Sequence, residues 1–281
     1  MTQRPGTLRS EAPSRRPVPV GELLGAWHAV MRGDFHRSPS RPFPVTPTPD
    51  AHAGSAATVW QPVDGETPVL VVGCGGSSGA STVALLLAQA VGRARVVECA
   101  PGSCSGLAGA SEAELGTVAD GWAQGARGDV LIQRRTDPIV TVTAVPAPPL
   151  APSEIAVTVV DCWWEFGQAM ASPVWLGDLA RTCERVVFVA RGSVPGLRRL
   201  ETCLAMAGAD RCHVVVTGVT ERRWPRHVES AMEPLSRQLR ASGRLHCLPD
   251  HPGLSLCGIT PSPLPRSFDQ VASLLLKGLL P

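Results

Sequence analysis

The chain has 281 residues, 44% of them hydrophobic and 18% charged, which supplies apolar material for one large domain or two small ones and excludes a wholly disordered polymer. Its 26 basic residues, all Arg except Lys277, face 24 acids, and a net charge of +2 gives no global signature of nucleic-acid binding. Its longest apolar runs, such as Val83 to Val91, fall far short of the roughly 20 residues of a membrane span.

Residues 1–65 are rich in Pro, Arg, Ser, Thr and Ala with little periodicity, a composition that cannot offset the entropy of ordering, so a flexible arm is expected there. Within it Val20, Leu23, Leu24, Trp27, Val30 and Met31 fall at helical spacing and predict a short amphipathic helix over residues 20–32. The first twenty residues carry positive charge but no apolar run before a cleavage site, so no secretory signal is expected and the cytoplasm is the expected compartment. Nine cysteines without a CxxC pair read as buried, reduced thiols.

From Thr67 onward, short β-branched runs alternate with helical stretches. Strands are predicted over residues 69–72, 95–98, 139–145, 155–160, 185–190, 213–217 and 245–248. Helices are predicted over residues 81–91, 111–124, 195–207, 225–241 and 268–279. Such alternation, with strands apolar on both faces, predicts one α/β domain over residues 66–281. Its sheet would be doubly wound, mostly parallel and flanked by helices on both sides. In sheets of this kind ligands bind at the carboxyl ends of the strands.

Chemistry concentrates at the first such end. After Val69-Leu-Val-Val72 comes Gly73-Cys-Gly-Gly-Ser-Ser-Gly-Ala-Ser-Thr82, and then an apolar helix. A glycine-rich turn between a buried strand and a helix lets backbone N–H groups converge with the positive helix end, which suits polyphosphate. No HxxxH or HExxH spacing supports a zinc hydrolase, and no GxSxG elbow supports an α/β-hydrolase.

Here the chain resembles the MinD/ParA-type P-loop ATPases, including actinobacterial septum-site and pilus-localisation members, whose deviant Walker A loop reads KGGxGKT[ST]. Gly75-Gly-Ser-Ser-Gly-Ala-Ser-Thr82 occupies that loop. The resemblance implies ATP or ADP held by Gly75, Gly76, Ser77, Ser78, Gly79, Ala80, Ser81 and Thr82, with Mg²⁺ on Ser81 and Asp161. Both family lysines are absent: Gly75 stands at the signature lysine and Ala80 at the one that contacts the β- and γ-phosphates. Val96-Val-Glu-Cys-Ala-Pro-Gly102 resembles the strand-two motif hhhDxDPxG, with Glu98 keeping the first acid and Ala100 replacing the second. Thr143–Ala147 is similar to the family strand ending in LPA, Val157–Asp161 to the Walker B strand, Arg185–Pro195 to the strand after it, and Leu248–Asp250 to the late loop that borders the base. The adenine-contacting Asn of the family falls near Thr217.

Phosphoryl transfer is catalysed by positioning and by charge stabilisation, so losing the loop lysine and an acid removes most of the apparatus. The expected function is therefore a MinD/ParA-like protein with a degenerate nucleotide site. It would regulate or scaffold without hydrolysing, bind ATP or ADP weakly, and act with a protein partner or a second copy of itself. Two alternatives stand beside it. One is a divergent ATPase in which an Arg replaces the missing lysine, with Arg134, Arg135 and Arg191 as candidates; the other is an interaction module whose relict pocket is filled by side chains. Cys74, Cys99, Cys104 and Cys162 all fall at the crevice ends of strands, where small buried thiols are expected rather than a metal cluster. Trp163-Trp164, directly after Asp161, is open between stacking on a ligand base, anchoring an interface, and packing one ring inside with the other at the surface. The last helix is expected to pack on the sheet rather than on a membrane.

Overall fold

The structure, a computed structural model, describes residues 20–31, 59–101, 104–118, 121–220 and 222–280. The chain divides into two units, Met1–Gly54 and Ser55–Pro281. In the first, helix α1 (Val20–Met31) stands where the spacing predicts one, with Leu24, Trp27 and Met31 exposed. The remaining arm residues lie outside the described ones except 59–65, which belong to the second unit. Trp60 is buried there, its ring edge-on to that of Trp175 at 5.4 Å, so the α/β body begins earlier than composition alone suggests.

The second unit is built on one sheet. Its strands are β1 (Thr67–Gly73), β2 (Ala94–Cys99), β3 (Ala113–Val118), β4 (Trp122–Arg127), β5 (Val130–Arg135), β6 (Val157–Cys162), β7 (Val186–Arg191), β8 (Cys212–Thr217) and β9 (Leu245–Leu248). They lie in the order β3-β4-β5-β2-β6-β1-β7-β8-β9. From β5 to β9 every pairing is parallel, while β3–β4 and β4–β5 are antiparallel. Strand alternation feeds two cores. Val69 and Val71 of β1 face the layer containing α2 (Ala80–Val91) and α9 (Asp269–Leu279). Leu70 and Val72 face the layer containing α3 (Phe166–Ala171), α4 (Trp175–Thr182), α5 (Val194–Ala207) and α7 (Pro234–Ala241). The fold is thus doubly wound, as expected. Short helices α6 (Arg226–Glu229) and α8 (Pro252–Cys257) complete it. No helix among the described residues is long and apolar enough to cross a membrane.

After β1 the chain turns onto the α2 face, and after β6 onto the α3 face. Neighbouring strands whose exits diverge to opposite faces leave a crevice between them, so β1 and β6 frame the switch point.

Three predicted elements differ. The helix predicted over 111–124 is replaced by β3 and the start of β4, an antiparallel extension of the sheet at its β5 edge, with Gly128-Asp129 as the hairpin turn between β4 and β5. Residues 139–145 make no strand: prolines at 138, 146, 148 and 149 bound the run on both sides, and a short 3₁₀ turn spans Val142–Ala144. The helix predicted over 225–241 is split into α6 and α7. Pro234 cannot continue a helix and instead starts one, with Glu233 and Ser236 forming a capping box.

Candidate functional site

Ser81 sits in the first turn of α2, beside the carboxyl ends of β2 and β6. Strand alternation decides what lies beneath it. Asp161 shares the α2 face with Val157 and Val159, and Glu98 shares it with Ala94 and Val96, so the two acids stand side by side in parallel register. Both are buried, Asp161 completely.

Their environments differ. Glu98 accepts from the Ser105 hydroxyl at 2.6 Å, the Gly106 amide at 2.7 Å and the Leu107 amide at 3.0 Å. Burial still raises its pKa, and those three bonds together with Arg134 oppose the rise. Neither carboxyl oxygen of Asp161 has a well-formed hydrogen bond. Burial, with the charge of Glu98 alongside, pushes Asp161 to about 7, while the nearby Ser81 hydroxyl pulls it the other way. The loop after β2 packs on this group: a Cβ on Gly106 would lie 2.6 Å from Ser81 Oγ.

Above the cluster opens a cavity of about 860 Å³, lined by Gly73 to Thr82 and, across from them, by Trp163, Trp164 and Arg199 among others. Its glycine-rich rim is held in place from below. Gly79 adopts φ +90°, which lets the chain turn into α2, and the Thr217 hydroxyl donates to the Ser78 carbonyl at 2.9 Å. The Ser78 side chain folds back on Gly73, where a Cβ would come within 2.5 Å of its oxygen. No side chain caps the first amides of α2, and its first turn has no acid.

The structure therefore brings Gly75, Gly76, Ser77, Ser78, Gly79, Ala80, Ser81 and Thr82 onto one cavity wall. Asp161 lies behind Ser81 rather than on the wall. Thr217 is buried with its hydroxyl committed to the loop, so it braces the rim rather than facing the space expected for a base. The pocket is not filled by side chains, which removes the filled-relict alternative.

The arginines singled out from sequence do not line the cavity and are already paired. Arg134 is forked onto Glu114 at 2.8 and 2.9 Å, Arg135 pairs with Asp137, and Arg191 forks onto Asp250 at 2.6 and 2.7 Å. The cation on the cavity wall is Arg199, which sequence reasoning missed because it lies mid-helix in α5, far along the chain from the loop. Its helical spacing to Cys203, one turn on, was the available signal.

Cys74, Cys104 and Cys162 reach the same cavity, joined by Cys203 of α5, while Cys99 pairs in register with Cys162 beneath. A hydrogen bond between Cys74 and Cys203 raises the first thiol and lowers the second, and burial lifts Cys162 to about 12. Among the described residues no group of three or more His, Cys, Asp or Glu is arranged to hold a metal. Trp163 is 42% exposed and Trp164 half-buried, both on the wall.

No protein-family profile matches the chain, and no curated protein matches it. Among solved structures it is similar to a ParA family ATPase from Chlorobium tepidum (13% identity, 76% of this chain and 91% of that one, TM-score 0.45). It is likewise similar to a plasmid partition protein from Borrelia burgdorferi bound to AMPPNP (10%, 75% and 97%, TM-score 0.49) and to the cell division ATPase MinD of Pyrococcus furiosus (14%, 75% and 97%, TM-score 0.42).

Proposed function

We propose that the cavity takes a nucleotide with its Mg²⁺ ion, in the manner of the MinD/ParA-type proteins, and that the chain uses occupancy to control assembly rather than to turn over ATP efficiently. One observation carries the binding half: Asp161 is fully buried, and neither of its carboxyl oxygens has a well-formed hydrogen bond, although the Ser81 hydroxyl stands beside them. A buried carboxylate left unpaired is costly, and a hard cation compensates it. Hydroxyl and carboxylate oxygens are the donors Mg²⁺ prefers, so Ser81 and Asp161 fit as its ligands. The ion would neutralise phosphate charge beside Glu98 and Asp161. The uncapped amides of α2 and the glycine loop would hold phosphate oxygens.

The regulatory half follows from Glu98. With Ser81 and Asp161 given to the ion, Glu98 is the remaining acid of the cluster; its carboxylate already accepts from Ser105, Gly106 and Leu107, and Ala80 and Ala100 carry no functional group to orient a water. The protein would then act through a partner protein or a second copy docking over the exposed rim at Gly76, Ser77 and Trp163. A second reading, a divergent ATPase, is favoured by one observation, the presence of Arg199 on the wall.

Phosphate release from ATP by the full-length chain, alongside thermal shifts with Mg-ATP and Mg-ADP, tests both halves. The expected result is stabilisation by nucleotide with release at the level of a protein-free blank. Turnover that Asp161→Ala abolishes would refute the loss of catalysis, and no stabilisation at any nucleotide concentration would refute binding.

A further inference from the structure

Building on the reading of the cavity as a nucleotide site, we infer that Arg199 receives the phosphate chain, supplying from a neighbouring helix the positive charge that the loop lacks. Gly75 and Ala80 leave the loop without a cation of its own. Arg199 Nη1 stands 3.0 Å from the position that a Cβ on Gly75 would occupy, with Cδ and Cζ at 3.9 and 4.0 Å. The guanidinium thus lies against the open side of Gly75, where a Cβ alone would make it shift by a few tenths of an ångström and a branched side chain by more.

The helix carrying Arg199 is fixed. The Ser193 hydroxyl caps α5 by accepting from the Gly196 amide at 3.2 Å, and Leu197, Leu200 and Leu204 are buried against the sheet. Residues Arg199, Thr202 and Cys203, spaced i, i+3 and i+4, form an adjoining face that lines the cavity, with Cys203 buried at its border with the core. Arg198, one position away, is exposed like Arg199 but does not line the cavity.

The donors of Arg199 are also unspent. Among the described residues it makes no ion pair or hydrogen bond, in contrast to Arg134, Arg135 and Arg191. Glu165, the acid on the same wall, uses its carboxylate to accept from the Gln168 amide at 3.0 Å and so cap α3. Thr202 donates its hydroxyl back to the Arg198 carbonyl. A planar, permanently charged fork on a rigid helix, facing a glycine-rich loop, matches the bidentate geometry of phosphate oxygens.

Calorimetric titration of the full-length chain with Mg-ATP and with inorganic pyrophosphate tests this, comparing wild type with Arg199→Ala, Arg199→Lys, Gly75→Val and Arg198→Ala. Arg199→Ala is expected to weaken both ligands roughly 10- to 100-fold, the effect of losing a charged hydrogen-bond partner. Arg199→Lys should recover part of that loss, Gly75→Val should copy Arg199→Ala by displacing the guanidinium, and Arg198→Ala should bind as wild type. If wild type binds Mg-ATP and Arg199→Ala binds both ligands equally well, the cavity reading stands and the role given to Arg199 is overturned. If Arg198→Ala loses as much as Arg199→Ala, the effect is general charge and the role is likewise overturned. If wild type binds neither ligand, the cavity reading and this inference fail together.

Discussion

Replacing Thr217 with Val separates a loop brace from a base contact. The Thr217 hydroxyl is 7% exposed at the residue level and donates to the Ser78 carbonyl at 2.9 Å, with Ala190 O a poorer acceptor at 3.4 Å. Valine keeps the shape, including the methyl that would meet a Gly79 Cβ at 3.3 Å, and removes only the donor. The buried Ser78 carbonyl is then left without that partner, and an orphaned group of this kind costs about 1–3 kcal/mol. Urea unfolding should show a lower midpoint with an unchanged slope, since the surface exposed on unfolding is the same. Because the damage is to the rim and not to a base pocket, Mg-ATP and Mg-GTP affinities should fall by the same factor. A variant of unchanged stability that instead alters the preference between ATP and GTP would refute this and make Thr217 a base contact.

Three further outcomes are expected. Gly79→Ala places a side chain at φ +90°, costing about 1–2 kcal/mol and tilting the rim, so denaturation should move to lower urea and nucleotide binding should weaken. Asp161→Asn removes the buried charge, and the Mg²⁺-dependent part of nucleotide affinity should fall by more than the roughly 10-fold that a lost supporting bond costs, measured by titration with and without EDTA. His213, buried and stacked on His246 with Arg244 nearby, is held down at about 4 chiefly by burial, then by those two charges. The folded state therefore resists a proton that the unfolded imidazole accepts near 6.5. Stability from this group is complete above pH 6.5 and is lost as the pH falls towards 4, by up to about 3 kcal/mol, and His213→Gln should flatten unfolding free energy across that window.

The sequence shows the central sheet because β1, β2 and β6 to β8 are short valine-rich runs buried on both faces, as a covered parallel sheet requires. The antiparallel extension is harder to read. Ala113 to Gln124 has helix-favouring composition, and β3 is exposed along nearly its whole length, so it lacks the apolar alternation that marks a half-buried strand. The turn signals Asp120-Gly121 and Gly128-Asp129 were there, but propensity outweighs them until the β5 edge is known to need a partner. At the site, the loop and Asp161 are local in sequence and legible as such. Glu98 is equally visible, yet its engagement by Ser105 to Leu107 depends on a loop folding back, which spacing does not encode. Arg199 is the sharpest case. Its proximity to Gly75 arises from the packing of α5 across the sheet, a contact between residues more than a hundred positions apart.

An anion-cradling turn and a buried carboxylate with no well-formed hydrogen bond are expected to make a nucleotide site without a loop lysine. Equilibrium dialysis of the full-length chain against radiolabelled ATP, with Mg²⁺ and with EDTA, addresses it directly. The account predicts saturable binding of one nucleotide per chain that EDTA weakens. Identical, non-saturating uptake under both conditions would contradict it.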